Sequence, residues 1–107
     1  MERVICLMTV LALSVAASQV YAQGTPQRGL AEAQQVCSDC HAIQKGQVRS
    51  PNSRSPTFVE LANTPGMTAT ALLVALTTPH AGMPMFILTT EQRENIIAYI
   101  LSLKGEN

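Results

Sequence analysis

The sequence has few aromatic residues, few cysteines and no net charge. Its 107 residues include no tryptophan, two tyrosines, two phenylalanines and three cysteines, with seven basic and seven acidic side chains. The balanced charge gives no indication of nucleic acid or of an anionic membrane as a partner. The length allows one small domain. With so few aromatic residues to fill its core, we expect a cofactor, a metal or a disulfide to help.

The one long apolar run lies at the N-terminus. It covers residues 4–17 after a short basic start, and the sequence "VYA" follows before position 23. This order of segments is typical of a secretory signal peptide, and the run is short for a membrane span of about 20 residues. We therefore expect a signal peptide over residues 1–22, cleaved after Ala22. Cleavage removes Cys6 and leaves a domain of residues 23–107.

The remaining sequence shows helical periodicity and no strand pattern. Apolar residues recur every three or four positions from Pro26 or Gln27 to Cys40, and "TFVELAN" at 57–63 suits a short helical turn. Two loops rich in proline, glycine or serine separate the helical segments, at 41–56 and 78–88. The pattern predicts an all-α fold of three to four helices.

Local signals set the ends of the last two helices. Thr68 can cap a helix over Ala69 to Thr77 that stops before Pro79. Thr89 and Gln92 have the capping-box spacing at the start of the last helix, and a glycine suits its end. The apolar stripes predicted to face the core are Leu72, Leu73 and Leu76 on one helix and Ile96, Ile97, Ile100, Leu101 and Leu103 on the other.

The stretch "CSDCH" places Cys37, Cys40 and His41 together and raises three alternatives. A thioredoxin-type dithiol also has two cysteines at this spacing, but it belongs to a strand–helix unit. A structural zinc site needs four ligands, commonly in two pairs, and His80 stands alone. C-x-x-C-H is the signature of covalent haem attachment, with the histidine as an iron ligand. We therefore predict one haem c per chain. Its covalent linkage would be made outside the cytoplasm, in agreement with the predicted signal peptide.

A low-spin electron carrier needs a second axial ligand. A methionine thioether favours ferrous iron and so raises the reduction potential. The domain offers Met67, Met83 and Met85. Met67 opens a helix, where packing or exposure explains it, whereas Met83 and Met85 lie in the loop between the last two helices.

The sequence resembles the class I cytochromes c, especially the small bacterial periplasmic ones, over nearly all of residues 27–104. The resemblance rests on "CSDCH", "SPTFVELAN", "GMPMF" and "LTTEQRENIIAYILSL". It implies the cytochrome c fold, with the helices wrapped around one haem. It also implies that Cys37 and Cys40 form the thioether bonds and that His41 is the proximal iron ligand.

The resemblance further implies a distal ligand. In this family the ligand is commonly the methionine of a Met-Pro pair, which here is Met83 before Pro84. Met85 is the fallback, and His80 is a bis-histidine alternative that otherwise is a loop or surface histidine.

Two more features follow from the resemblance. The family holds its proximal histidine through a proline carbonyl, for which Pro56 is the better candidate by sequence context and Pro51 the alternative by distance. The first and last helices of the family cross near a glycine and an aromatic residue, which Gly29 and Tyr99 match. The aromatic residue expected near Ala33 is missing.

The predicted function is that of a periplasmic mono-haem electron carrier, not an enzyme. Its partners would be redox proteins met transiently, and we expect a monomer with no stable membrane association after signal cleavage. The basic loop residues Lys45, Arg49 and Arg54 would meet an acidic partner, pair with haem propionates or simply be solvated. The alternatives are a five-coordinate haem protein that binds a small ligand, and a haem subunit of a larger redox complex.

Overall fold

A computed structural model describes residues 24–107, so the predicted signal peptide lies outside the described residues. These residues form four helices: α1 (Pro26–Val36), α2 (Phe58–Asn63), α3 (Ala69–Thr77) and α4 (Thr90–Ser102). No strand occurs in the described part of the chain, apart from an isolated bridge between His80 and Met83. The predicted all-α fold is confirmed.

Helix α1 packs across α4, and a glycine makes their close approach possible. A Cβ atom on Gly29 would lie 2.0 Å from the carbonyl oxygen of Asn95 and 2.7 Å from the Cβ of Tyr99. Any larger residue would force the two backbones apart. This is the contact predicted for Gly29 and Tyr99, and Ala33 is completely buried beside it.

Helix α1 is shorter than predicted, because it ends at Val36 rather than at Cys40. The amides of Cys37 and Ser38 both donate to the carbonyl of Ala33, at 2.8 and 3.1 Å. The second of these bonds spans five residues and breaks the regular i to i−4 ladder. The apolar periodicity continues past this point, so the sequence pattern alone did not show the end.

Capping side chains set the start of the other helices. The hydroxyl of Thr68 accepts from the amide of Ala71 at 3.1 Å, and α3 has the predicted bounds. The predicted capping box at α4 is formed, with Thr89 and Gln92 each accepting the other's backbone N–H. Helix α2 has a capping box of the same kind, which we did not predict; it pairs Thr57 with Glu60.

Apolar residues from all four helices and from the turn after α1 form one core. Its buried members include Ala33, Cys37, Ile43, Phe58, Ala62, Leu72, Ile96, Ile97, Tyr99, Ile100 and Leu103. The stripe predicted for α3 is partly wrong, since Leu72 is 4% exposed but Leu73 is 42% exposed. Successive residues of a helix point about 100° apart, so Leu73 turns away when Leu72 packs inward.

A buried asparagine joins the start of the domain to α4. Asn95 is 2% exposed. Its Oδ1 accepts from the backbone N–H of Thr25 at 2.7 Å, and its Nδ2 donates to the carboxylate of Glu32 at 3.2 Å. These bonds satisfy a polar group that would otherwise be costly to bury. Of the helices in residues 24–107, none is long and apolar enough to cross a membrane.

Candidate functional site

The two motif cysteines lie on one closed turn that follows α1. The amides of Cys40 and His41 both donate to the carbonyl of Cys37, at 3.2 and 2.9 Å. Both thiols are free; Cys37 is buried and Cys40 half-buried. Burial, and then the neighbouring Cys40, raise the pKa of Cys37 to about 11. Neither cysteine is in a disulfide bond, so both side chains are available for another covalent bond.

His41 is held by a backbone carbonyl. Its Nδ1 lies 2.6 Å from the carbonyl oxygen of Pro56. A carbonyl can only accept, so Nδ1 is the protonated nitrogen, and a neutral ring then leaves Nε2 unprotonated and able to bind a metal. The ring also packs against Phe58, with centroids 5.6 Å apart. The proline in this position is Pro56 rather than Pro51.

Several hydrogen bonds fasten the loop that carries His41. The bonds run from the Asn52 amide to the Cys40 carbonyl, from the Ala42 amide to the Ser50 hydroxyl, from the Phe58 amide to the Ala42 carbonyl, and from the Tyr99 hydroxyl to the Ile43 carbonyl. The Tyr99 hydroxyl is buried, which raises its pKa. The bonds from Phe58 and Tyr99 tie the loop to α2 and α4 and so fix the backbone around His41.

A cavity of about 580 Å³ opens beside the motif. Cys37, Cys40 and His41 line it, and the size is within the range of small-molecule sites. Its apolar wall includes Val36, Phe58, Leu61, Leu72, Leu76, Ile96 and Ile100. A separate groove of about 660 Å³ over α3 and α4 contains none of the predicted site residues.

The loop between α3 and α4 brings a methionine to the same cavity. Met83 is half-buried and lines the cavity, as does Met67. Met85 is 50% exposed and is not one of the lining residues. The structure therefore brings Met83, rather than Met85, together with the cysteines and His41.

Three further residues line the cavity, namely Met67, His80 and Phe86. The sequence predicts packing or exposure for Met67 and either a bis-histidine ligand or a loop or surface position for His80, and it predicts no role in the site for Phe86. No local signal marks them, because their position depends on how the irregular segments fold over the core.

The residues of the cavity fit a covalent haem better than they fit zinc. Within residues 24–107, no group of three or more His, Cys, Asp or Glu side chains is placed to hold a metal ion. Two free thiols on one turn, an imidazole with Nε2 available and a thioether border one largely apolar space instead. This set of donors suits thioether attachment and axial ligation of haem.

Comparison with known proteins decides the family. Residues 26–104 match the cytochrome c family. The chain belongs to the cytochrome c family. This cytochrome c is 31% identical over 102 residues to a cytochrome c-552 of Bradyrhizobium diazoefficiens, an alignment that covers 95% of this chain and 94% of the relative. No solved structure matches the chain.

Family membership confirms the predicted cofactor. Proteins of the cytochrome c family bind haem c covalently, and this cytochrome c has the two cysteines that the attachment needs. Its general role is electron transport through haem iron, and proteins of the family are generally electron carriers rather than enzymes.

Proposed function

We propose that this cytochrome c is a periplasmic mono-haem electron carrier whose iron is bound by His41 and Met83. The observation that carries the proposal is a single cavity that both residues line, together with Cys37 and Cys40. Cys37 and Cys40 would form the thioether bonds. Met85 would have no part in ligation, since it is half-exposed and outside the lining.

The proximal side of the cavity is built for a fixed ligand. The haem supplies a one-electron change between ferric and ferrous iron. The Pro56 carbonyl keeps the proton of His41 on Nδ1, and so keeps Nε2 as the ligand atom. A carbonyl bond of this kind also orients the ring and increases its basicity. Phe58 limits the movement of the ring from one side.

The distal and lateral sides of the cavity would determine the reduction potential and limit the access of water. The thioether of Met83 would favour ferrous iron and so raise the reduction potential. Buried apolar side chains from α2, α3 and α4 cover the cavity, among them Phe58, Leu72 and Ile96. A dry surrounding with two permanent ligands lets the iron change its charge without binding a substrate atom.

The setting of the carrier follows from the predicted signal peptide. Residues 1–22 would direct residues 23–107 to the periplasm, where a monomer would meet its redox partners transiently. Arg49 and Arg54 are exposed, whereas Lys45 forms an ion pair with Glu106 at 2.5 Å. The two arginines are therefore better placed than Lys45 to meet an acidic partner.

A redox titration of the haem-loaded protein tests the proposal. We expect a single one-electron transition, a low-spin absorption spectrum in both oxidation states, and no binding of carbon monoxide to the ferrous protein at concentrations that saturate a five-coordinate haem. High-spin spectra with rapid carbon monoxide binding would contradict the carrier and favour ligand binding. Co-purification with another subunit at a fixed ratio would contradict the free monomer.

A further inference from the structure

A second possible ligand lies beside Met83. His80 lines the same cavity. The backbone N–H of Met83 donates to the carbonyl of His80 at 3.3 Å, and Gly82 between them has a φ of 81°. These features describe a tight turn with glycine at its third position, whose first and last Cα atoms lie within about 7 Å of each other. The two side chains therefore leave the backbone within about 7 Å of each other and border the same cavity.

A hydrogen bond to a backbone carbonyl orients the imidazole of His80. Its Nδ1 lies 3.2 Å from the carbonyl oxygen of Thr78. Since a carbonyl only accepts, Nδ1 carries the proton and the neutral ring leaves Nε2 free. His41 has the same arrangement with Pro56. In a metal-bound histidine, the ring nitrogen that does not bind the metal usually donates to a carbonyl, a carboxylate or water.

The segment that carries both residues is weakly fastened. Among hydrogen bonds between described residues, segment 79–87 has the two just named. The side chain of Ile87 is fully exposed, and that of Met85 is half-exposed. The loop around His41, by contrast, has the four bonds described above, two of which join it to α2 and α4. Segments with few buried contacts and few hydrogen bonds rearrange at low cost in free energy.

No lysine of the described chain competes for this position. Lys45 is paired with Glu106, Lys104 follows α4, and neither lines the cavity. His80 is thus the nitrogen ligand that the loop between α3 and α4 offers.

We propose that His80 is a reserve axial ligand, which binds the haem iron whenever Met83 is lost or displaced. The turn at residues 80–83 would present either side chain to the same position. This inference rests on the proposed function, because it assumes that Met83 is the ligand of the undisturbed protein. Replacement of a thioether by an imidazole lowers the reduction potential, so the turn would give the carrier a high-potential and a low-potential form.

Haem-loaded variants test the proposal through their ferric absorption and electron paramagnetic resonance spectra. The set is the wild type, Met83→Ala, Met83→Ala with His80→Ala, and the matched control Met83→Ala with Met85→Ala. We expect Met83→Ala to lose the weak far-red band of methionine-bound iron but to remain low-spin. The control should also remain low-spin, whereas removal of His80 should make the haem high-spin.

Titration with free imidazole gives a second readout. If His80 occupies the iron in at least about nine of ten molecules of Met83→Ala, the apparent Kd for imidazole is about tenfold or more weaker than in Met83→Ala with His80→Ala. Far-UV circular dichroism and covalent haem content show whether each variant is folded. Met83→Leu, which preserves most of the side-chain volume, replaces Met83→Ala if the latter does not fold.

The outcomes separate the two proposals. A high-spin Met83→Ala protein, or one that stays low-spin without His80, would overturn the reserve ligand. Met83 would still be upheld as the ligand if the far-red band is present in the wild type and lost in Met83→Ala. A wild type without that band would contradict ligation by methionine, and with it the assumption on which the reserve ligand rests.

Discussion

The crossing of α1 and α4 depends on the absence of a side chain at Gly29. We predict that Gly29→Ala destabilises the protein, although alanine is a better helix former by about 1 kcal/mol. The added Cβ would lie 2.0 Å from the Asn95 carbonyl oxygen, whereas ordinary contact begins at 3.4 Å. The obstacle is backbone, so it cannot move aside as a flexible side chain would, and the helices must separate.

The expected magnitude follows from the two opposing terms. Overpacking of a core costs about 1–3 kcal/mol, and the upper end applies because the clash is with backbone. After subtraction of the gain in helix propensity of about 1 kcal/mol, the free energy of unfolding should fall by about 2 kcal/mol. A domain of this size then loses roughly 8–16 °C in Tm. Denaturant and thermal unfolding of the haem-loaded protein measure both quantities.

A second glycine provides the control. Gly46 has a φ of 83°, and a Cβ there would meet nothing within 4 Å. Gly46→Ala therefore tests backbone strain without a clash. A left-handed backbone conformation costs an alanine about 1–2 kcal/mol. Alanine also lowers the conformational entropy of the unfolded chain, which offsets about 0.4–1 kcal/mol of that cost. An unchanged or raised Tm for Gly29→Ala would refute the reasoning about the helix crossing.

Four further predictions concern three hydrogen-bonded side chains. Tyr99→Phe should cost about 2 kcal/mol, because it leaves the buried Ile43 carbonyl without its 2.6 Å partner. Since burial raises the pKa of Tyr99 above its ordinary 10.0, the folded state holds its proton more tightly, so wild-type stability should fall above pH 10 more steeply than that of Tyr99→Phe. Thr89→Ala should cost about 1 kcal/mol in urea unfolding through loss of the α4 cap; no change would refute the role of the cap. Asn63→Ala should speed hydrogen exchange of the Gly105 amide, which now donates to Asn63 at 2.8 Å, and an unchanged rate would show that this bond protects nothing.

The parts of the fold that local chemistry determines were predicted well. A threonine with a free hydroxyl before a helical segment, and a proline after it, gave the bounds of α3. The capping box at Thr89 gave the start of α4. The end of α1 was predicted too late, because the apolar spacing continues to Cys40 while the backbone already bonds across five residues at Ser38. Periodicity reports which side of a segment is apolar, not whether its hydrogen bonds remain helical.

The residues of the motif could be predicted from the sequence, but most residues of the cavity wall could not. "CSDCH" is contiguous, so Cys37, Cys40 and His41 were readable from spacing alone. The wall of the cavity combines residues far apart in sequence, such as Met67 and Phe86. The buried network around Asn95 likewise joins distant segments. Contacts of this kind depend on how the helices pack, which no single segment of the sequence specifies.

The ferric absorption spectrum of haem-loaded wild type, Met83→Ala and Met85→Ala tests the central claim most directly. We predict a low-spin spectrum with the weak far-red band in the wild type and in Met85→Ala, and loss of that band in Met83→Ala. Met83 lines the cavity beside His41, whereas Met85 is half-exposed outside it. A band lost in Met85→Ala and kept in Met83→Ala would contradict the proposed ligand, and a high-spin wild type would contradict the electron carrier itself.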